Sequence, residues 1–325
     1  MKIRFFILLG IIIVILLVGC ESDWYPIYED WLCTINIDGS DLEYIRNSYG
    51  NFLLSPDRQT LIEYTKNKFY SVSLNDLSSK TLLLNYGDDT EEIYNPSMSN
   101  THIAFTHNAD IYSLNIENKD TTRLTLDASL EKNPAFSSDG SKIVYTTFNS
   151  ADSVTKVIVM NSDGSNKNVI LEEPHNRYKK HFHFIMNDTA VLYYIMFKSG
   201  IYTINIDGSN HQCILENVHP YYLTLSPNRD YVIFMSDGYL QKINVDGTGH
   251  TLLTDTNNWE FDAVISPNGQ KILYSKEDFP YIMDADGTDS YKLLDKMIAD
   301  KDYERRESYF LDDYKILITL KKQIN

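Results

Sequence analysis

A unit of about 40 residues repeats along nearly the whole chain, and that period limits the fold more than any other feature. The clearest copy runs from Asn133 to Asn166. A short apolar run meets the turn Ser137-Ser138-Asp139-Gly140, then Lys142 to Thr146 alternates polar and apolar residues. After a bend, Val157 to Met160 leads into a second turn at Asp163-Gly164. Period-two alternation between turn residues is the pattern of short antiparallel strands.

The first turn of successive copies aligns at Ser55, Ser97, Ser137, Ile185, Ser226, Ser266 and Phe310. The second turn recurs at Asp38-Gly39, Asp163-Gly164, Asp207-Gly208, Asp246-Gly247 and Asp286-Gly287. Asp-Gly suits tight hairpins because glycine accepts a positive φ. In two copies Ser73 to Asp76 and Asn115 to Asn118 take its place. Several short strands at this period indicate propeller blades. The two ends complete each other: Arg306 to Leu320 supplies the first two strands of a unit, and Trp31 to Arg46 supplies the last two. Sharing one blade between the termini removes exposed sheet edges. The expected fold is therefore an all-β, seven-bladed β-propeller closed by a blade shared between N- and C-terminal strands. Neither helical periodicity nor a linker divides it.

The N-terminus carries an address. Lys2 and Arg4 precede an apolar run from Phe5 to Val18, followed by Leu17-Val18-Gly19-Cys20. A basic start, a short apolar stretch and small residues describe an export signal. The expected organisation is a signal peptide over 1–19, a polar tether over 20–30, the propeller over 31–320 and a tail over 321–325. Cys33 and Cys213 stand in strand-like runs of distant repeats and are expected to be thiols rather than a bridge. The formal charge of −16 argues against nucleic acid as a partner, which requires basic patches.

Leu17-Val18-Gly19-Cys20 resembles the bacterial lipobox, which implies lipidation of Cys20 and an extracytoplasmic, membrane-anchored protein. Asn133 to Tyr145 and Ile265 to Tyr274 resemble the TolB-type propeller repeat. Ile201 to Asn210 is similar to the repeat of receptor-type YWTD propellers, which implies six blades as the alternative count. The resemblance covers about 31–320 and concerns the blade, not a chemistry. Related propellers include a metal-dependent oligogalacturonate lyase with histidines at its channel. That resemblance implies, as an alternative activity, a metal-assisted carbohydrate-active enzyme using the channel-mouth histidines. No Gly-x-Ser-x-Gly elbow of an α/β-hydrolase is present.

Four antiparallel strands per blade put the Asp-Gly turns on one face and the connections between blades on the other. The Asp residues are expected to shape turns. Asp284 to Asp289 lacks the spacing of a calcium loop. The connections vary more: His175 to His183, His219 to Tyr222 and Asn258 to Asp262 come from consecutive blades and should form one arc at the channel mouth. Basic, aromatic and His-rich, this arc suits an anionic or sugar ligand. The expected ligand-binding residues are Arg177, Tyr178, Lys180, His181, His219, Tyr221, Tyr222, Trp259, Glu260, Asp262 and Arg306. In the competing reading the tyrosines pack between blades and the charges only solvate loops. Thr147 to Thr155 reads as a long polar tip over the same face. His181 and His183 share a strand face, but no metal-ligand set is assembled by spacing alone, and no cofactor is expected. Together these features describe a lipid-anchored binding or assembly module for an envelope protein or surface polymer.

Overall fold

Alternating sequences between turns become four-stranded sheets, and seven such sheets make up the computed structural model. It describes residues 27–48, 50–87, 92–127, 129–151, 153–174, 180–195, 199–255, 260–277, 279–293 and 303–324. Among these residues there are 28 strands and no helix, each sheet pairing its strands antiparallel. Blade 1 is the shared one. From the channel outward it consists of Tyr303–Phe310, Lys315–Ile324, Ile27–Asn36 and Glu43–Asn47. The count of seven replaces the alternative of six.

The inner strands of blades 2 to 7 are Asn51–Leu54, Tyr94–Met98, Leu130–Phe136, Lys180–Ile185, Tyr221–Leu225 and Glu260–Ile265. Apolar residues on both faces of the middle strands fill the spaces between blades, one core cluster per interface. Between blades 5 and 6, for example, Leu192, Tyr194 and Ile201 meet Val232, Phe234 and Ile243. Between blades 1 and 2, Leu32 and Leu317 meet Phe52, Leu61 and Val72.

Register sharpens the repeat alignment at two points. The turn mark of blade 1 is Leu311, not Phe310: Phe310 pairs with Ile316 as Phe136 pairs with Ile143, and the Leu311 N–H donates to the Lys315 carbonyl at 2.9 Å. The turn mark of blade 3 is Ser99, not Ser97: Met98 pairs with Ile103 as Phe136 pairs with Ile143. Ser97 faces Ala104 inside the strand. The expected long tip over 147–155 is also shorter than its polarity suggests. The strands Lys142–Asn149 and Val154–Asn161 stay paired to Asn149 and Val154, leaving a tight hairpin end. Cys33 is buried and Cys213 half-buried, and neither is bridged.

Candidate functional site

The Asp-Gly face resolves into repeated turns. In each, the aspartate carboxylate accepts the N–H and hydroxyl of the Ser or Thr two residues on, at 2.9 and 2.6 Å for Asp38, Asp163, Asp207 and Asp246. Asp286 does the same with Thr288, at 3.0 and 2.6 Å. These hydrogen bonds hold Asp163, Asp207, Asp246 and Asp286 below the usual carboxylate range. The glycines have a second duty. A Cβ on Gly39 would lie 2.4 Å from the Leu293 carbonyl oxygen, and one on Gly287 would lie 2.6 Å from that of Leu253. Each turn therefore presses against the preceding blade, and its aspartate is spent on the turn itself.

The opposite face is built differently. Five inner strands carry a register shift near their start, at Tyr94/Ser97, Lys132/Ala135, Tyr221/Thr224, Phe261/Val264 and Arg305/Ser308. Bulges re-aim side chains and are common beside binding sites. Asn95, Asn133, Tyr222 and Asp262, the first residues of four of them, have φ of 47°, 57°, 48° and 54°. Asn and Asp visit this region readily, whereas a tyrosine there is held against its preference by its surroundings. The corresponding positions in the other blades are Asn51, His181 and Arg306. Asn51 and His181 pair regularly with Tyr64 and Tyr194. One position per blade thus contributes Asn51, Asn95, Asn133, His181, Tyr222 and Asp262, all of them polar or amphipathic, to the channel mouth, and Arg306 is the backbone position that opens the bulge of blade 1.

Across blades 5 to 7 these residues form a connected group. His181 stacks on Tyr194, with ring centroids 4.9 Å apart and planes 7° apart. Burial raises the Tyr194 phenol to about 12, opposed by backbone hydrogen bonds at Leu223 and Tyr222. Tyr222 is 54% exposed, and its phenol is raised by burial of its inner part and by the Asp262 charge. Two residues along the strand from His181, burial pushes His183 down to about 4, helped by His181 and Arg229, although part of its surface stays open. The Tyr222 ring and the Asp262 carboxylate therefore lie beside the stacked rings of His181 and Tyr194 at the mouth. They can stack against a ring and exchange hydrogen bonds with hydroxyl or amide groups.

Of the residues expected from sequence, His181, Tyr222 and Asp262 come together here. His219 is exposed on the same face, its N–H donating to Ser236 Oγ at 3.1 Å. Tyr221 packs against the core between blades 6 and 7. Lys180, Glu260 and Arg306 are backbone positions on the inner strands of blades 5, 7 and 1. Arg177, Tyr178, Trp259 and Cys20 lie outside the described residues, as does His175. Asn51, Asn95 and Asn133 were missed, since asparagine before a strand reads as ordinary turn composition. Equal spacing from the turn mark, four residues ahead of Ser55, Ser99 and Ser137, was the available clue.

Toward the other end of the channel, a cavity of about 230 Å³ is lined by residues of blades 1, 2, 6 and 7, including Leu54, Arg58, Thr224, Val264 and Phe310. Arg58 is committed to the Phe310 carbonyl at 2.5 Å. Among the described residues, no group of three or more His, Cys, Asp or Glu side chains is placed to hold a metal ion.

No family model and no curated protein matches the sequence. Solved structures do resemble the fold. An oligogalacturonate lyase in complex with manganese superposes with a TM-score of 0.64 at 11% identity, over 84% of this chain and 88% of that one. Oligogalacturonate lyase from Vibrio parahaemolyticus gives 0.63 at 11% identity, over 93% and 94%. A putative TolB from Agrobacterium tumefaciens gives 0.51 at 14% identity, over 92% and 99%. At these identities the likeness establishes the β-propeller alone.

Proposed function

We propose that this chain is a lipid-anchored extracytoplasmic β-propeller that binds an envelope protein or surface polymer at the channel mouth formed by its inner-strand bulges. The observation that carries this reading is the convergence of His181, Tyr222 and Asp262 from three consecutive blades, with Tyr222 held at φ 48° and half its surface open. Backbone strain kept at an exposed aromatic residue is characteristic of binding sites. The lipobox motif supports the anchor. Export in turn fits a polar ligand met outside the cytoplasm.

A photo-crosslinking residue at Tyr222 on intact cells tests the reading. Capture of an envelope protein or polymer is expected, and it should be lost in a His181→Ala/Asp262→Ala background while persisting with Asp246→Ala on the opposite face. No capture, or capture indifferent to both sets, would count against it. Titration of the purified protein with manganese addresses the enzymatic alternative: stoichiometric binding abolished by His181→Ala would favour it.

A further inference from the structure

The register of blade 1 determines where the chain enters the domain. Its third strand, Ile27–Asn36, pairs residue by residue with Lys315–Ile324, from Ile27 opposite Ile324 to Asn36 opposite Lys315. Inner strands begin at the connection face, and alternate strands reverse. Ile27 therefore lies at the connection face and Asn36 at the Asp-Gly face. The bulge holding Arg306 lies opposite Thr319, next to Leu320, which pairs with both Arg305 and Trp31. Pairing of Ile27 to Asp30 with Lys321 to Ile324 thus continues past the mouth, by about 13 Å at 3.3 Å per residue. The domain carries a ribbon that rises from its mouth side, and the N-terminal segment joins at its tip.

Distances then decide the orientation. Ile27 lies seven residue steps from Cys20, and fully extended chain spans at most about 24 Å over that length. Ile27 to Asn36 measures about 30 Å along the strand. A tether shorter than the strand cannot return past the whole domain, so a lipid on Cys20 cannot bring the Asp-Gly face onto its own membrane. Charge favours the same arrangement. Asp163, Asp207, Asp246 and Asp286 are held ionised by their turns. An anionic leaflet repels them within a Debye length of about 8 Å.

We infer that the channel mouth is the membrane-side face of the propeller, its ligand being met in a gap no wider than about 40 Å between the inner-strand bulges and the bilayer. This rests on lipidation at Cys20. The mouth then addresses a membrane-proximal ligand, while the acidic face looks away from the membrane.

The test uses the full-length protein isolated with its lipid and placed in phosphatidylcholine vesicles whose headgroups carry a resonance-energy-transfer acceptor, which quenches a fluorophore across tens of ångströms. In a Cys213→Ser background, a fluorophore is attached either at Leu126→Cys, in the connection between blades 3 and 4, or at Tyr314→Cys, in the turn on the opposite face of blade 1. Both positions are open, at 73% and 76% exposure. Quenching of most of the Leu126→Cys fluorescence, with little at Tyr314→Cys, is expected. Should either variant misfold by circular dichroism, Leu130→Cys and Asp289→Cys provide a second pair on the same two faces. Mass spectrometry of the N-terminal peptide separates the two premises. Equal or reversed quenching in protein shown to carry lipid overturns the orientation and leaves the anchor standing; Cys20 without lipid overturns both.

Discussion

Arg229 of blade 6 reaches back to blade 5, donating to the Phe184 carbonyl at 2.8 Å and pairing with the Asp188 carboxylate at 3.1 Å. Asp188 also accepts the N–H of Ser138 from blade 4 at 3.0 Å. It therefore ties three blades together. The arrangement returns at the closing seam, where Asp313 of blade 1 accepts the Asn268 N–H of blade 7 at 2.9 Å and its charge acts on Arg58 of blade 2. These two aspartates stand in the blades whose turn mark is Ile185 or Leu311. Elsewhere a serine hydroxyl closes the turn, as Ser137 Oγ does by accepting the Lys142 N–H at 2.9 Å.

Replacing Asp188 should therefore cost more than a surface ion pair. Asp188→Ala strands a partly buried guanidinium and a backbone N–H, and a loss of about 2–3 kcal/mol is expected. Arg229→Ala should cost about 1–2 kcal/mol, and the double variant less than the sum of the two. Urea unfolding of the four proteins reads the coupling. Strict additivity would show that Asp188 and Arg229 act independently.

Two glycines separate backbone conformation from close approach. Gly269 has φ 74°, and a Cβ there meets nothing nearer than 4.0 Å, so Gly269→Ala should cost only the left-handed penalty of about 1–2 kcal/mol. Gly287 has φ 93° and a Cβ position 2.6 Å from the Leu253 carbonyl oxygen. Gly287→Ala should cost at least about 1 kcal/mol more, because the seam between blades 6 and 7 must open. Thermal unfolding of both variants makes the comparison. Equal losses would mean that the contact relaxes freely.

Glu131, 1% exposed at the start of the blade 4 inner strand, should make stability fall as pH rises toward neutrality. Burial, with the charges of Asp110 and Asp127, raises its carboxyl to about 7, against the lowering effects of Thr125 and Lys167. Because the folded protein holds this proton where the unfolded chain has released it, the contribution is complete below about pH 4.5 and is lost by about pH 7. The loss amounts to no more than about 3 kcal/mol. Glu131→Gln should flatten that slope and leave the protein more stable than the parent at pH 8. A parallel decline in both proteins, followed by urea midpoint, would assign the slope elsewhere.

His183 works in the opposite sense. With its folded value near 4, set first by burial, it is neutral in the fold while the unfolded chain takes up a proton below its ordinary value of 6.5. Its contribution is present above pH 6.5 and is lost as the pH falls toward 4. His183→Gln should remove this acid-side loss without changing the alkaline side, measured by the same midpoints. NMR titration of the imidazole gives the direct check, and a value near 6.5 would contradict the assignment.

The blades were legible because each of their devices is local. Asp207-Gly208 specifies a hairpin without reference to the remainder of the chain, and the half units at Trp31 and Arg306 complete each other by simple alignment. The mouth was only partly legible. His181, Tyr222 and Asp262 drew attention as chemically distinctive residues. Asn51, Asn95 and Asn133 did not, because a bulge adds one residue to a strand and leaves period-two alternation looking merely imperfect. The slip from Ser97 to Ser99 is two residues, so it leaves period-two alternation intact and the pattern gives no sign of it. Asp188 and Asp313 looked like decay of the repeat. Their value lies in groups contributed by neighbouring blades, across 41 residues of chain between Asp188 and Arg229.

The ladder between Ile27–Asn36 and Lys315–Ile324 also has a consequence for biogenesis. Ile27–Asn36 finds its long-term neighbour only in Lys315–Ile324, so the ring stays open until Lys315–Ile324 has been made. A chain exported through a membrane would close its ring only on the far side, after Lys315–Ile324 had crossed. Loss of Lys315–Ile324 would leave two raw edges in place of one seam, exposing the product to clearance before it could serve any ligand.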